Sequence, residues 1–201
     1  METGKLELVT RVFPLRRPVL EAEQIIRQQA QKKGLVFQVD LKEDLPATVL
    51  GDEARLRRVL LNLVGNAVKF TSEGRVTLRA NAYGHEISFA VEDTGPGIPP
   101  TERERIFRPF EQNGNHDGAG LGLAICKELV TLMGGSLTLE PQLQTCFRVR
   151  LPLVSVQPGS GTPGKHGNSR RILIVDDNAI SARVNRQSLM AAGYFADSVE
   201  D

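Results

Sequence analysis

Residues 155–169, SVQPGSGTPGKHGNS, offer almost nothing that a hydrophobic core can bury, and this stretch limits every other reading of the chain. Glycine and proline steps without apolar spacing make a flexible linker. The chain therefore divides into a main domain over 1–153, a linker over 154–169 and a short C-terminal piece over 170–201. The last piece is shorter than the roughly 40 residues below which a domain seldom folds alone. The main domain is long enough to bury a sizeable core without disulfides or structural metal.

Composition excludes several function classes. The 201 residues are 40% hydrophobic and 24% charged, the balance of an ordinary globular protein. A formal net charge of +1 gives no bulk attraction to nucleic acid, so no nucleic-acid partner is expected, although Arg55, Arg57 and Arg58 crowd one short stretch. No run of roughly 18 apolar residues is present to span a bilayer. The segment METGKLELVTRVF alternates and lacks signal-peptide character. Cys126 and Cys146 sit in apolar runs without Cys or His at metal-ligand spacing, and read as reduced, buried core residues.

The spacing of apolar residues predicts the elements. Leu6, Leu8, Val12 and Phe13 suggest a strand. Pro18 opens a helix with Val19, Ala22, Ile26 and Ala30 on its buried face and Gly34 as its stop. VFQVDL over 36–41 alternates as a strand does. Asp52 caps a helix whose stripe is Leu56, Val59, Leu60, Leu63, Ala67 and Val68. Residues 76–82 and 87–91 form a hairpin around 83–85. A Gly/Pro-rich loop (93–100), a short helix near 101–107 and a polar loop (111–117) precede a helix over 120–133. Strands over 136–140 and 146–151 follow. The mixture predicts an α/β fold, with helices packed on one face of a mixed sheet. In the tail, ILIV reads as a strand without sheet partners, and 178–191 as a helix.

Three motifs carry chemistry. On the helix over 53–69, Asn62, Asn66 and Lys69 lie four and three residues apart and share one polar face. An amide oxygen is a hard ligand suited to Mg²⁺, and a lysine suits a phosphate. Taken alone, the pattern also fits an exposed helix face. DTGPGI (93–98) follows a strand, so the Asp93 carboxylate can accept a hydrogen bond from an exocyclic amine while Gly95 and Gly97 let the backbone approach a flat base. GAGLGL (118–123) opens a helix and turns backbone N–H groups toward phosphate oxygens. Each string is weak alone; their order on the right elements is a strong signal.

NLVGNAVKFT, DTGPGI, IFRPFEQ and GAGLGLAICKELVTLMGG resemble the N box, first glycine box, F box and second glycine box of histidine kinases. The resemblance covers roughly residues 1–153. It implies the two-layer α/β sandwich (Bergerat-type ATP-binding fold) shared with gyrase, Hsp90 and MutL, and it implies ATP and Mg²⁺ as cofactors. Asn66 would coordinate Mg²⁺, with Asn62 and Lys69 lining the phosphate side as catalytic residues. Asp93 would bind the adenine amine, with Gly95, Gly97 and Ile98 at the base and Thr145 reaching it through water. Gly118, Gly120, Leu121 and Gly122 would border the triphosphate. Phe107 and Phe110 would anchor the ATP lid as packing residues. The tail's ILIVDDN is similar to the first strand of receiver domains, where Asp176 and Asp177 would help hold Mg²⁺; adjacent carboxylates ending a buried strand are otherwise hard to justify. The order kinase, linker, receiver implies a hybrid sensor kinase. Its partners would be the phosphoacceptor helices of the same or a partner kinase and a receiver domain. The parent would be homodimeric and membrane-associated, with this portion cytoplasmic.

Three departures from the family pattern stand out. No phosphoacceptor helix is present, and His85, His116 and His166 read as solvated side chains in a turn, the lid and the linker. The lid segment Gln112–Asp117 holds no Lys or Arg. Gln142 and Gln144 replace glycines expected before the last strand, and their side chains would narrow the nucleotide pocket. These features keep open a second reading, a degenerate domain that regulates a partner kinase. A third, an ATPase or serine kinase of the same fold, is opposed by the receiver-like tail.

Overall fold

The computed structural model describes residues 8–84, 86–110, 120–140, 144–156, 171–175, 186 and 195–199. Strand β1 (Arg11–Pro14) leads into helix α1 (Arg16–Lys32), which buries Pro18, Val19, Ala22, Ile26 and Ala30 on one face. The helix begins two residues before Pro18 rather than at it. The first four N–H groups of any helix lack an intrahelical acceptor, so a proline is tolerated in that turn. Gly34 ends the helical path at φ +70, in the left-handed region where only glycine rests without strain.

Strand β2 (Val36–Leu41) matches the alternating segment, whereas β3 (Thr48–Gly51) has no clear counterpart in the sequence pattern. Helix α2 (Glu53–Phe70) is capped by Asp52, whose Oδ1 accepts from the Arg55 N–H at 3.1 Å. Its Oδ2 accepts from Arg55 Nε at 2.9 Å and from the Val9 N–H at 3.0 Å, tying the chain's entry to the cap. The stripe Leu56, Val59, Leu60, Leu63, Val64, Ala67 and Val68 is buried. Each buried leucine contributes about 1.5–3 kcal/mol.

Strands β4 (Arg75–Tyr83) and β5 (Glu86–Asp93) form the expected antiparallel hairpin. A 3-10 turn at Arg105–Phe107, helix α3 (Gly122–Leu132), β6 (Ser136–Leu139) and β7 (Thr145–Leu151) follow. Helix α3 starts two residues after the expected Gly120, because Gly120 sits at φ +64 and cannot continue a right-handed turn. The main sheet has the order β2-β4-β5-β7-β6, with β2 parallel to β4 and the other pairs antiparallel, so it is mixed as expected. Ile87, Phe89 and Val91 of β5 and Phe147, Val149 and Leu151 of β7 face the helices in a single core.

The opposite face of the sheet carries long polar side chains. Arg148 Nε contacts Glu140 Oε1 at 2.8 Å and its Nη1 donates to Ser88 Oγ at 3.3 Å, while Arg79 pairs with Glu92. Under this cover Ser88 and Ala90 are buried too, so β5 does not alternate between buried and exposed.

A small sheet, β1-β3-β8, closes one end of the domain. Its strand β8 (Val154–Ser155) occupies the first residues expected in the linker: it pairs with Val49 and Leu50, and the Thr48 hydroxyl donates to the Val156 carbonyl. In the tail, β9 (Arg171–Val175) has a partner after all, since it pairs in parallel with β10 (Phe195–Val199). A parallel pair needs a crossover connection, and the short FADSV segment carries no apolar run to announce it. The rest of the linker expected over 154–169, from residue 157 on, and the helix expected over 178–191, apart from helical Arg186, lie outside the described residues. No helix among the described residues is long and apolar enough to cross a membrane.

Candidate nucleotide site

The last residue of β5 is Asp93, and register places it opposite Thr145, the first residue of β7. Asp93 is only 6% exposed. Its Oδ1 accepts from the Gly95 N–H at 2.9 Å. Burial pushes the carboxyl above the usual aspartate range, and hydrogen bonds from Gly95, Thr145 and Thr71 pull against that rise. The Thr71 hydroxyl also donates to the Ala67 carbonyl at 2.7 Å. It has one hydrogen, so Gly95 and Thr145 are the steady donors to Asp93.

A Cβ at Gly95 would lie 2.7 Å from Asp93 Oδ1 and 3.2 Å from the Phe70 carbonyl oxygen. Gly95 is thus needed for contact with the carboxylate itself, a reason the sequence does not disclose. Gly97 holds φ +77. Gly97, Ile98 and Thr145 join Pro96, Pro99, Arg103, Leu139, Glu140 and Gln144 around a cleft of about 260 Å³. Gln144 lines this cleft from an exposed position.

The polar face of α2 is a separate wall, outside the lining of that cleft. Asn62 and Asn66 are half-buried and Lys69 is exposed, with its Nζ 5.2 Å from the centre of the Phe70 ring. The start of α3 meets this wall: a Cβ at Gly122 would lie 3.3 Å from Asn62 Oδ1 and 3.9 Å from Asn66 Nδ2. Leu121 precedes α3 without a side-chain cap hydrogen bond. The helix therefore meets both asparagines with its N-terminal end, where backbone N–H groups and the macrodipole favour an anion.

The F-box aromatics divide. Phe107 packs edge-on against Phe147 at 6.1 Å, with Lys127 Nζ 5.2 Å from the Phe107 ring centre. Phe110 does not pack: it is 76% exposed and holds φ +63, while its N–H donates to the Gly120 carbonyl at 3.1 Å. The left-handed backbone that makes this bond turns the ring away from the core, which corrects the expectation of a second packing anchor.

Gly118, Gln142, Asp176, Asp177, the three histidines and Gln112–Asp117 lie outside the described residues. Sequence reasoning missed three residues that shape the site. Thr71 follows the end of α2 inside NLVGNAVKFT and is fully buried beside Asp93. Cys126 Sγ contacts the Val59 carbonyl at 3.8 Å and hydrogen-bonds the Asn62 side chain, and burial pushes its thiol up to about 12. Arg103 Nε donates to the Ile98 carbonyl at 3.3 Å and so fixes the cleft rim. For Thr71 the signal was present, a hydroxyl directly after a helix end. The other two contacts are long-range or depend on loop shape.

The family model described as "Histidine kinase-, DNA gyrase B-, and HSP90-like ATPase" matches residues 51–155. Sensor protein TorS of Escherichia coli (strain K12) is 35% identical over 184 residues, covering 88% of this chain and 20% of TorS. Sensory/regulatory protein RpfC of Xanthomonas campestris pv. campestris (strain 8004) is 38% identical over 171 residues, covering 79% of this chain and 24% of RpfC. The chain thus spans a quarter or less of the length of these relatives. The crystal structure of full-length ShkA in complex with AMPPNP superposes with a TM-score of 0.70 at 35% identity, covering 98% of this chain and 42% of that one. The catalytic domain of histidine kinase ThkA gives 0.64 at 28% identity, covering 71% of this chain and 97% of that domain. The matched span runs from the end of β3 to β8 and takes in Asp93, Thr145 and the α2–α3 wall: the chain belongs to the histidine kinase-, DNA gyrase B- and HSP90-like ATPase family.

Proposed function

We propose that this domain binds Mg·ATP and is the catalytic part of a hybrid sensor histidine kinase, passing the γ-phosphate to a histidine on a separate dimerisation helix. The observation that carries the reading is the buried Asp93 carboxylate, held by Gly95 and Thr145 beside a cleft of base-sized volume, with two asparagines against a glycine-opened helix nearby. Asp93 accepts a hydrogen bond from the adenine amine, Thr145 reaches the base through water, and Gly97 and Ile98 lie along it. Asn62 and Lys69 contact the phosphates, and Gly118, Gly120, Leu121 and Gly122 border them with backbone N–H groups.

The residues present fit a magnesium ion. Asn66 offers an amide oxygen, a hard donor, on a half-buried helix face beside the phosphate-side glycine. A magnesium ion held there would supply positive charge against the phosphates. In the proposed transfer the bond from the γ-phosphorus to the β-phosphate oxygen breaks, the bond to the histidine nitrogen forms, and ADP leaves. The chain's own residues position the triphosphate for that transfer.

Residues 170–201 are read as the start of a receiver domain, with Asp176 and Asp177 at its metal site, after a linker that begins beyond Val156. The intact protein is read as a membrane-associated homodimer with this domain on the cytoplasmic side. Its partners are the phosphoacceptor helices and the receiver.

Titration of the chain with Mg·ATP tests the binding reading, and absence of binding overturns it. Transfer of labelled phosphate to a supplied phosphoacceptor helix tests the kinase reading. The cation-free segment Gln112–Asp117, with Gln144 in the cleft, favours a second reading: a weak nucleotide binder that regulates a partner kinase. In that case native transfer is slow, and Asn115→Arg increases it. Rapid transfer by the native chain defeats the second reading.

A further inference from the structure

The segment read as the ATP lid contains no lysine or arginine, which leaves the terminal phosphate without a cation from that side. Helix α2 offers one. Arg58, Asn62 and Asn66 recur at intervals of four and share one helical face. Asp93 marks the C-terminal end of that face, since a Cβ at neighbouring Gly95 would lie 3.2 Å from the Phe70 carbonyl oxygen and 3.3 Å from Thr71 Oγ1. At a rise of 1.5 Å per residue, Arg58 lies about 6 Å beyond Asn62 on the side away from Asp93. Helix α3 runs along the same wall: Gly122 meets Asn62 and Asn66, and one turn on Cys126 meets the Val59 carbonyl. The charge of Arg58 is close enough to Cys126 to favour its thiolate. From the base outward, the wall therefore presents the carboxylate, the two asparagines and then an arginine.

The neighbouring cations have other roles. Lys69, read above as a phosphate contact, belongs to the last turn of α2, and Lys127 sits 5.2 Å from the centre of the Phe107 ring. Arg55 pairs with Asp52 at 2.9 Å and Arg57 with Glu21 at 3.2 Å. Arg58 is exposed, and no hydrogen bond or ion pair joins it to another described residue. An arginine stem spans one helical turn, and its planar fork matches phosphate geometry.

We propose that Arg58 contacts the terminal phosphate of bound ATP, supplying from α2 the charge that the lid segment lacks, so that the domain prefers the triphosphate to the diphosphate. The proposal rests on the nucleotide reading above. The ordinary alternative, a solvated arginine, predicts no effect of its removal on either nucleotide.

Calorimetric titration of the full chain with Mg·ATP and Mg·ADP, for native protein, Arg58→Gln, Arg58→Lys and Arg57→Gln, tests it. Arg58→Gln should weaken ATP about ten-fold, the scale of a lost charge-assisted hydrogen bond, and leave ADP within about two-fold. Arg58→Lys should recover part of the loss, and Arg57→Gln should change neither affinity. Thermal melting monitors the fold, and Arg58→Lys carries the same comparison should the glutamine variant not fold. Equal weakening of both nucleotides, or no change in either, overturns the proposal. Native protein that binds neither nucleotide defeats the nucleotide reading and this inference with it. Native protein that binds both, with the ATP preference untouched by Arg58→Gln, defeats the inference alone.

Discussion

At the Asp93 end of the site, the carboxylate has Gly95 and Thr145 as donors, and the glycine beside it leaves no room for a Cβ. The end of α2 next to it is clamped from α1: Lys33 Nζ donates to the Val68 and Lys69 carbonyls at 2.8 Å and to the Thr71 carbonyl at 3.1 Å. Farther along α2, Asn62 and Asn66 are half-buried, Arg58 is exposed, and the start of α3 has no side-chain cap. On the proposed reading the Asp93 end would face the base, and its carboxylate is already held by protein donors, so little ordering cost would remain there. On the same reading the α2–α3 wall would face the phosphates, and it presents polar groups that a multiply charged ligand would complete. Substitutions should separate these ends: near Asp93 they should change stability, in one direction or the other, as well as affinity, and near Asn66 affinity alone.

The largest effect belongs to Gly95→Ala. Its Cβ would press on a buried carboxylate, so the variant should lose about 1–3 kcal/mol of stability and with it adenosine binding, read by chemical denaturation and titration. Normal stability in this variant would break the contrast between the ends.

Asp93→Asn comes next. It should weaken ATP by about 1.5–3 kcal/mol, the cost of a hydrogen bond to a charged group. The same variant should melt at a higher temperature than native protein at pH 7, because it removes a charge held in a buried place. A melting temperature lowered together with affinity would reduce Asp93 to a structural role.

Asn66→Ala should abolish the Mg²⁺ dependence of ATP binding while leaving adenosine affinity and the melting temperature near native. Equal loss for adenosine would show that this wall, too, is part of the scaffold.

The smallest effect is a pH dependence. Burial raises the Asp93 carboxyl in the folded state, so its favourable contribution is complete below the ordinary aspartate value. That contribution is lost as pH rises through the raised value. The native melting temperature should fall across that window by an amount that Asp93→Asn abolishes. Identical profiles for the two proteins would remove burial as the cause.

Much of this arrangement was legible because helices declare themselves locally. The α2 stripe, the Asp52 cap and the β4–β5 hairpin follow from period and punctuation alone. Strand β3 was not legible: it is short and belongs to a sheet whose other members lie far away in sequence. The same holds for β8 and β10, which exist only through distant partners. At the site, the residue types of Asp93, Gly95 and Asn66 could be read, but not why each is needed. The demand on Gly95 comes from a carboxylate two residues earlier that the chain folds back upon. The exposure of Phe110 comes from a left-handed turn, which an aromatic residue in the sequence does not suggest.

Cys126 lies in the core between the helices, whereas Cys146 lies on the far side of the sheet beneath the arginine and glutamate network. Both are fully buried, with thiols pushed up to about 12 and about 11. At neutral pH neither is a ready nucleophile, so a thiol reagent should be blind to the closed molecule and react only during excursions that admit it. The pair amounts to two clocks in one chain. Modification of Cys126 times the parting of α2 from α3, where Asn62 is held, and modification of Cys146 times the loosening of the sheet. A nucleotide that bridges the α2–α3 wall should slow the first clock and leave the second running at its former rate.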